Sequence, residues 1–241
     1  MKYYHTNDEI DEIGEGLIRQ FDFCSYSQGC AVDIEKFITD YLKYRIIYDY
    51  IAESDASKTA FLGDGKVSLC VWRNGKREDI IPKADQIVID THFSQDSLNA
   101  PRRFILAHEA GHIIMDKLYG NTATAAYNNE FDGEREYSLQ ELCDLFSFKE
   151  AQATSMGVAL LMPKTLITSL LRMFKGKKCI PIYGNSVLLD CDRKIIGDMA
   201  EHFNVSYKSM FYRIRSLKLF EYRLIDEYIA MNLGGNGGVR C

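Results

Sequence analysis

The sequence predicts an α+β fold, in which a small, largely antiparallel sheet packs on a helical core and a C-terminal helical segment resembles a helix-turn-helix. Three observations support this prediction. Two amphipathic helical patterns come first, short β-type runs fill the middle of the chain, and helical patterns dominate from Pro101 onward. At 241 residues, the chain is long enough for one sizeable domain, or for one domain with a small appendage.

The first two helical patterns lie in the N-terminal part of the chain. Apolar residues recur every three or four positions from residue 7 to residue 20 and again from residue 32 to residue 42. Short runs rich in β-branched and aromatic residues then alternate with turns such as Asn74-Gly75, a pattern that predicts strands with tight connections. The predicted strands are residues 45–51, 59–62, 67–72 and 86–90.

Longer helices are predicted in the second half of the chain. Pro101 suits the first turn of a helix, and the apolar pattern after it extends from residue 102 to residue 119. A polar link at residues 121–136 separates this helix from a second one, expected between about residue 138 and residue 161. A short helix at residues 165–174 and two or three short helices between residues 191 and 228 complete the prediction.

Charge and composition exclude some functional classes. The formal net charge is −5, which argues against a protein whose main work is to coat nucleic acid, because phosphate binding favours a basic face. No window approaches ~18 consecutive apolar residues, so we expect no membrane span, and the acidic N-terminus lacks the layout of a secretory signal. The seven cysteines include no C-x-x-C pair, so we expect reduced thiols in a cytoplasmic protein rather than a cysteine-based metal cluster.

The sequence His108-Glu109-Ala110-Gly111-His112 lies on the first of the long predicted helices. Residues four apart share one face of an α-helix, so the two imidazoles can reach one Zn²⁺ ion at ~2.0–2.1 Å. Glu109 is offset between them and is suited to take a proton from an attacking water and pass it to a leaving amine. Gly111 disfavours the helix by ~1 kcal/mol relative to alanine, which suggests that another backbone element passes close by.

Two histidines do not complete a catalytic zinc site, which has three protein ligands and an open position. Asp116 follows His112 by four residues but would have to bend back to reach the metal. A carboxylate from the next helix is the better source, and its acidic residues Glu141, Asp144 and Glu150 are all candidates. Spacing alone does not choose among these three.

Two longer motifs narrow this choice. Residues 103–112, RFILAHEAGH, resemble the R-F-x-x-A-H-E-x-G-H signature of the ImmA/IrrE metallopeptidase family. Residues 150–163, EAQATSMGVALLMP, are similar to that family's downstream motif E-x-x-A-[ND]-x-[FL]-A-x-x-L-L-M-P, in register from the glutamate to the proline. Residues 86–90 resemble the strand that precedes the histidine helix in the family, and we judge that the resemblance covers roughly residues 5–220.

The resemblance implies a zincin-like fold of the gluzincin type. It implies that His108, His112 and Glu150 bind Zn²⁺ and that Glu109 is the general base. It further implies a cytoplasmic endopeptidase whose substrate is a DNA-binding transcriptional repressor. We accordingly predict a metallopeptidase domain at residues 1–178 and a C-terminal helical subdomain at residues 179–241.

The chain departs from the family pattern at three positions. Thr154 stands where the family has Asn or Asp, and if that residue orients a histidine, threonine could do so less well. Met156 replaces Phe or Leu, and Gly157 replaces Ala. None of these changes affects the implied ligands or the implied base.

Other residues could contribute to a hydrolytic site. Peptide hydrolysis develops negative charge on the carbonyl oxygen, and a tyrosine hydroxyl could stabilise it. The sequence does not choose among Tyr119, Tyr127, Tyr137 and Tyr183. His92 precedes the histidine helix and could overhang a cleft, although a surface position is the commoner outcome, and His5 and His202 have no partner pattern.

The run from Lys194 to Leu217 resembles a helix-turn-helix, with Ser206 as the cap of its second helix. That helix carries the basic residues Lys208, Arg213, Arg215 and Lys218. Direct DNA contact is therefore one hypothesis, but we favour a helical hairpin that packs on the peptidase core, because the whole chain is acidic. Two alternatives to a peptidase remain open: a metal-binding regulatory protein that acts without proteolysis, and a DNA-binding regulator built on residues 194–218. Oligomeric state is not predicted.

Overall fold

The computed structural model describes residues 5–54, 58–119, 126–127, 148–176 and 178–232. Helix α1 (Asn7–Phe21) begins with a capping box, in which the Thr6 hydroxyl accepts from the Glu9 amide and the Glu9 carboxylate accepts from the Thr6 amide. Helix α2 (Phe23–Ser27) follows directly, and α3 (Ile34–Lys36) continues into a π-helical turn, Phe37–Leu42. The two helical patterns predicted at residues 7–20 and 32–42 are therefore both present.

The main sheet has the strand order β4-β3-β1-β5-β2-β6. All adjacent strands run antiparallel except β1 and β5, so the largely antiparallel sheet predicted from the sequence is confirmed. Two strands of this main sheet were not predicted: the highly charged β4, and β6, which lies in the segment expected to be a polar link. The strands are β1 (Arg45–Ile51), β2 (Ala60–Leu62), β3 (Leu69–Arg73), β4 (Lys76–Ile80), β5 (Gln86–Asp90) and β6 (Ala126–Tyr127).

Two 3-10 turns, Thr91–Ser94 and Asp96–Leu98, connect β5 to the long helix α4 (Asn99–Leu118). Helix α4 starts three residues before its predicted beginning. Helix α5 (Phe148–Leu161) ends as predicted before Pro163, whereas its predicted beginning at residue 138 lies outside the described residues. Helix α6 (Lys164–Lys175) then ends at Gly176, whose left-handed backbone suits glycine.

The C-terminal part contains two helices that form the predicted hairpin, α7 (Asp190–His202) and α8 (Tyr207–Ser216). The Ser206 side chain accepts a hydrogen bond from the Ser209 amide, which confirms the predicted cap. A parallel pair of strands that was not predicted, β7 (Ile180–Tyr183) and β8 (Phe220–Arg223), flanks the hairpin. Helix α9 (Ile225–Asn232) follows β8.

The hairpin packs on the preceding helices through a buried ion pair. Arg213 of α8 donates to Asp11 of α1 at 2.7 Å and to the carbonyl oxygen of Met162 at 3.0 Å. Arg213 is therefore not available for the alternative of DNA contact, because its guanidinium is bound by groups inside the protein. The domain boundary after residue 178 stays a prediction, and one apolar cluster contains residues from both sides of it.

The main apolar cluster joins strands β2 and β5 to helices α1, α4 and α5, and it continues into α6, β7 and the C-terminal hairpin. Among the described residues, no single helix is both long and apolar enough to cross a membrane. Helices α5 and α6 are long and apolar enough for this only when they are taken together, and a bend of 44° separates them.

Candidate metal centre

Helices α4 and α5 cross in backbone contact at two glycines. A β-carbon on Gly111 would overlap the carbonyl oxygen of Ala153 and would lie 2.8 Å from its carbonyl carbon. A β-carbon on Gly157 would lie 2.9 Å from the carbonyl oxygen of Ala107. Such distances are shorter than side chains tolerate, so both positions need glycine for this crossing. The close approach brings the first half of α5 alongside the histidines of α4.

Three side chains from the two helices converge at this crossing. The Nε2 atoms of His108 and His112 are 3.1 Å apart, and Glu150 Oε2 is 3.1 Å from His112 Nε2 and 3.3 Å from His108 Nε2. Ligand bonds of ~2.0–2.1 Å in a tetrahedral site would separate the ligand atoms by roughly 3.3–3.4 Å. The observed triangle is thus close to the size that one Zn²⁺ ion requires.

The chemistry of these three atoms also suits a cation. Two imidazole nitrogens that face each other can share at most one proton, and a carboxylate oxygen only accepts hydrogen bonds unless it is protonated. The three side chains of the triangle therefore direct more lone pairs than protons toward its centre. Two imidazoles and one carboxylate also form a donor set that catalytic zinc sites use, with the fourth position left open.

Thr154 contacts the far side of the His108 ring, with its Oγ1 atom 3.1 Å from His108 Nδ1. If the hydroxyl accepts from an Nδ1–H group, His108 is held in the tautomer that keeps a lone pair on Nε2. Thr154 thus contacts His108 from the position where the family motif has Asn or Asp. Complete burial lowers the pKa of His108, which favours the neutral ring that a metal ligand needs.

Glu150 is the most exposed member of the triangle, yet its carboxylate is strongly stabilised. Burial acts to raise its pKa, but hydrogen bonds to His108 and His112 outweigh burial and lower the pKa to about 2. The pKa of His112 shifts in the opposite direction, upward. There burial acts to lower the pKa, and the Glu150 hydrogen bond together with the charges of Glu109 and Glu150 raises it above its ordinary value.

Glu109 is fully buried beside the triangle, and its two carboxylate oxygens have no hydrogen-bond partner among the described residues. Burial raises the pKa of Glu109 to about 7, against the opposing effect of nearby His112. Burying a carboxyl group without hydrogen-bond partners lowers the stability of the fold, so such a group calls for a functional explanation. Its pKa near neutrality suits a group that both takes up and releases a proton.

Comparison with known protein families agrees with this geometry. A family model described as the IrrE N-terminal-like domain, Peptidase_M78, matches residues 72–215, which is more than half of the chain and includes both glycine contacts and all three converging residues. The chain belongs to the IrrE-like peptidase family. The family resemblance inferred from the two motifs is thereby confirmed, and with it a peptidase class. No curated protein matches the chain at a significant level.

The remaining candidates occupy other positions in this IrrE-like chain. Asp116 is buried and lies 2.8 Å from Lys149 Nζ, so it forms an ion pair outside the triangle. Glu141 and Asp144, the alternative third ligands, lie outside the described residues, as do the side chains of Tyr127 and Tyr137. His92 is exposed, in agreement with the expectation of a surface histidine.

Two of the tyrosines considered as oxyanion stabilisers use their hydroxyl groups in other contacts. The Tyr119 hydroxyl donates to Gln152 at 2.8 Å and accepts from the His5 amide at 3.3 Å. Tyr183 is buried in β7, where its hydroxyl lies 3.9 Å from the sulfur of Met231. His5 was expected to lack a partner, but it stacks on Tyr119, and its carbonyl oxygen accepts from the Gln152 side chain.

Sequence reasoning missed the ion pair of Lys149 and Asp116, which joins the first turn of α5 to the last turns of α4 next to Glu150. It also treated Gly157 only as a departure from the family motif. A signal was present, because Gly111 and Gly157 are both unusual inside helices and together indicate a close crossing. Spacing within either helix could not reveal that they face each other.

Proposed function

We propose that this protein is a zinc-dependent endopeptidase in which His108, His112 and Glu150 bind Zn²⁺ and Glu109 is the general base. The proposal is supported above all by the triangle of His108 Nε2, His112 Nε2 and Glu150 Oε2, with separations of 3.1 to 3.3 Å. A purely structural zinc site would favour a closed shell of four ligands and would have no use for a buried, unpartnered glutamate beside it.

The bound Zn²⁺ ion would polarise the scissile carbonyl and lower the pKa of the attacking water. Glu109 accepts a proton from that water on a carboxylate oxygen and later delivers it to the leaving amine. The rigid packing of α4 holds Glu109 in place for both steps, because the whole turn around it is buried. Thr154 keeps the His108 ring oriented while Glu109 changes its protonation state.

We further propose a cytoplasmic, regulatory role, with a DNA-binding transcriptional repressor as the substrate. This part of the proposal rests on the family resemblance of the two motifs. The free cysteines among the described residues, Cys24, Cys30, Cys70, Cys179 and Cys191, suit a reducing compartment. The burial of Arg213 against Asp11 favours an accessory packing role for the helical hairpin over direct DNA contact.

Metal analysis of matched variants tests the ligand assignment. We expect one Zn²⁺ per chain in the wild type and a large loss of affinity in His108→Ala, His112→Ala and Glu150→Ala. Glu12→Ala, an exposed glutamate of α1, is the control and should bind Zn²⁺ like the wild type. Full zinc affinity in Glu150→Ala would place the third ligand elsewhere, with Glu141 and Asp144 as the next candidates.

Cleavage of a co-expressed repressor tests the chemistry. Glu109→Gln should retain zinc but lower the rate of cleavage by roughly 10²–10⁴-fold, because general base catalysis is removed while the ligands remain. If Glu109→Gln supports the same biological output as the wild type, the hydrolase proposal fails. The alternative, a metal-binding regulator that acts without proteolysis, would then account for the site.

A further inference from the structure

The outer edge of β8 is not covered by another strand. The small C-terminal sheet contains β7 and β8 in that order, and within the described part of the chain no strand pairs with the other side of β8. Three residues at this edge are exposed, Glu221, Tyr222 at 61% and Leu224 at 70%. An exposed edge strand of this kind is a template for pairing with another strand.

The backbone of β8 divides its hydrogen-bonding groups between its two edges. The carbonyl oxygens of Leu219 and Arg223 accept from the amides of Ile180 and Gly184 on the β7 side, at 2.9 and 3.0 Å. Alternate residues of a strand direct these groups to opposite edges. The amide and carbonyl of Tyr222, and those of Phe220, therefore face the outer edge.

Among the described residues, helix α9 contacts strand β7. The Ile225 side chain approaches Gly184 at the end of β7, where a β-carbon would lie 3.5 Å from it. Tyr228 of α9 packs on Tyr183 of β7, with ring centroids 5.7 Å apart. Both contacts are with β7 and the residue after it, and neither involves the outer edge of β8.

The side chains of β8 and the residue after it form a self-complementary pattern. Phe220, Tyr222 and Leu224 share one face of the strand, whereas Glu221 and Arg223 share the other and form an ion pair at 2.8 Å. In an antiparallel pair centred on Tyr222, Glu221 of one chain would lie opposite Arg223 of the other. Phe220 is buried against Phe211 of α8 and would lie opposite Leu224, so the two Glu221–Arg223 pairs carry the complementarity.

We propose that β8 pairs antiparallel with β8 of a second copy of this chain, about a two-fold axis at Tyr222. The two β7–β8 sheets then join into one continuous sheet, and the outward amide of each Tyr222 donates to the carbonyl of the other. The strand that pairs with β8 comes from a second copy of the chain because the sequence Phe-Glu-Tyr-Arg-Leu, paired antiparallel with itself, sets each Glu221 opposite an Arg223. A two-fold symmetric interface requires this kind of self-complementarity. The residues of this interface are not among those of the candidate metal centre, so the proposal does not depend on the activity of that centre.

A concentration series by sedimentation equilibrium tests the proposal on the full chain. We expect the wild type to pass from monomer to dimer as the concentration rises, and Tyr222→Pro to stay monomeric. Proline at position 222 removes only the outward amide, so the ladder with β7 is kept. Circular dichroism and zinc content check that the fold of Tyr222→Pro is intact.

Charge reversal provides a second test that does not depend on proline. Glu221→Arg alone and Arg223→Glu alone each place like charges opposite each other twice in the dimer, and we expect each to weaken it about tenfold or more. A mixture of these two variants restores opposite charges across the axis and should form a heterodimer as tight as the wild-type dimer. The double variant that carries both Glu221→Arg and Arg223→Glu should likewise dimerise as tightly as the wild type.

Asp85→Arg and Arg45→Asp are the matched controls, because they reverse an exposed ion pair on another surface. They should leave dimerisation unchanged. A wild type that remains monomeric at every concentration would overturn the proposal. So would a dimer that is equally stable in Tyr222→Pro and in both single charge reversals, since another surface would then form it.

Discussion

The carbonyl carbon of Ala153 on α5 lies 2.8 Å from the point that a β-carbon on Gly111 of α4 would occupy. The two helices therefore touch backbone to backbone at the turn that carries His112. This contact fixes the spacing between the histidines on one helix and Glu150 on the other.

The first prediction concerns Gly111. Gly111→Ala should push α5 away, lower the free energy of unfolding by ~1–3 kcal/mol and weaken zinc binding at least tenfold, because overpacking shifts the backbone that carries Glu150. Thermal denaturation and competition with a zinc chelator measure the two effects. Gly197→Ala on α7 is the control, since its β-carbon would meet nothing within 4 Å. It should be neutral or stabilising by up to ~1 kcal/mol.

The second prediction concerns Thr154. Thr154→Ala should weaken zinc binding by roughly 10–100-fold, because the hydroxyl no longer orients His108, while the helical content stays unchanged. Thr154→Ser keeps the hydroxyl and should bind zinc nearly as well as the wild type. Thr168→Ala, which removes a hydroxyl that bonds within α6, is the control. Equal chelator competition by all three variants would show that Thr154 does not position the ring.

The third prediction concerns the buried ion pair of Arg213 and Asp11. Arg213→Met should lower the free energy of unfolding by ~3–5 kcal/mol, because it leaves the Asp11 carboxylate buried without its partner. Lys208→Met removes an exposed positive charge from the same helix and should have little effect. Chemical denaturation compares the two variants. A loss in Lys208→Met as large as that in Arg213→Met would contradict this account.

The fourth prediction concerns pH and Glu109 in the metal-free protein. Folding raises the pKa of Glu109 from its ordinary 4.5 to about 7, so the folded state favours the protonated form. Its stabilising contribution is present below about pH 4.5 and is lost as the pH rises through 7. Relative to Glu109→Gln, whose amide does not titrate, the wild type should therefore become less stable over this range, by on the order of 2 kcal/mol.

Denaturation with a chelator present, at several values of pH, measures this difference. The exposed variant Glu12→Gln serves as the control and should follow the wild type at every pH. A constant difference between the wild type and Glu109→Gln across the range would mean that burial does not raise the pKa of Glu109.

Much of the scaffold could be predicted because its signals are local. Strands β1 and β5 were predicted at residues 45–51 and 86–90, the bounds they have in the structure, because each is a run of β-type residues bounded by turn residues. The histidine helix and the close approach of another backbone at Gly111 were also predictable, since both follow from helix geometry and from the cost of a glycine inside a helix. Strand β4 was missed because its charged sequence suits an exposed edge and lacks an apolar pattern.

Other features depend on contacts that are distant in sequence. Strand β8 pairs with β7, and the alternating pattern of its own four residues is too short to predict a strand. The burial of Arg213 could not be predicted because its partner Asp11 lies 202 positions away. Spacing could not select Glu150 either, because its place beside the histidines depends on how α4 and α5 cross. The family motif supplied that information, and the geometry of the crossing agrees with it.

The distance in sequence between Asp11 and Arg213 also bears on how the protein is made. While the chain is still being synthesised, Asp11 leaves the ribosome long before Arg213 exists, so the nascent N-terminal helix cannot complete its last buried contact. Helix α1 packs against α5, with the β-carbon of Ala159 2.9 Å from the position of a β-carbon on Gly14. The helices that carry the proposed metal ligands therefore gain this contact only after α8 has been synthesised.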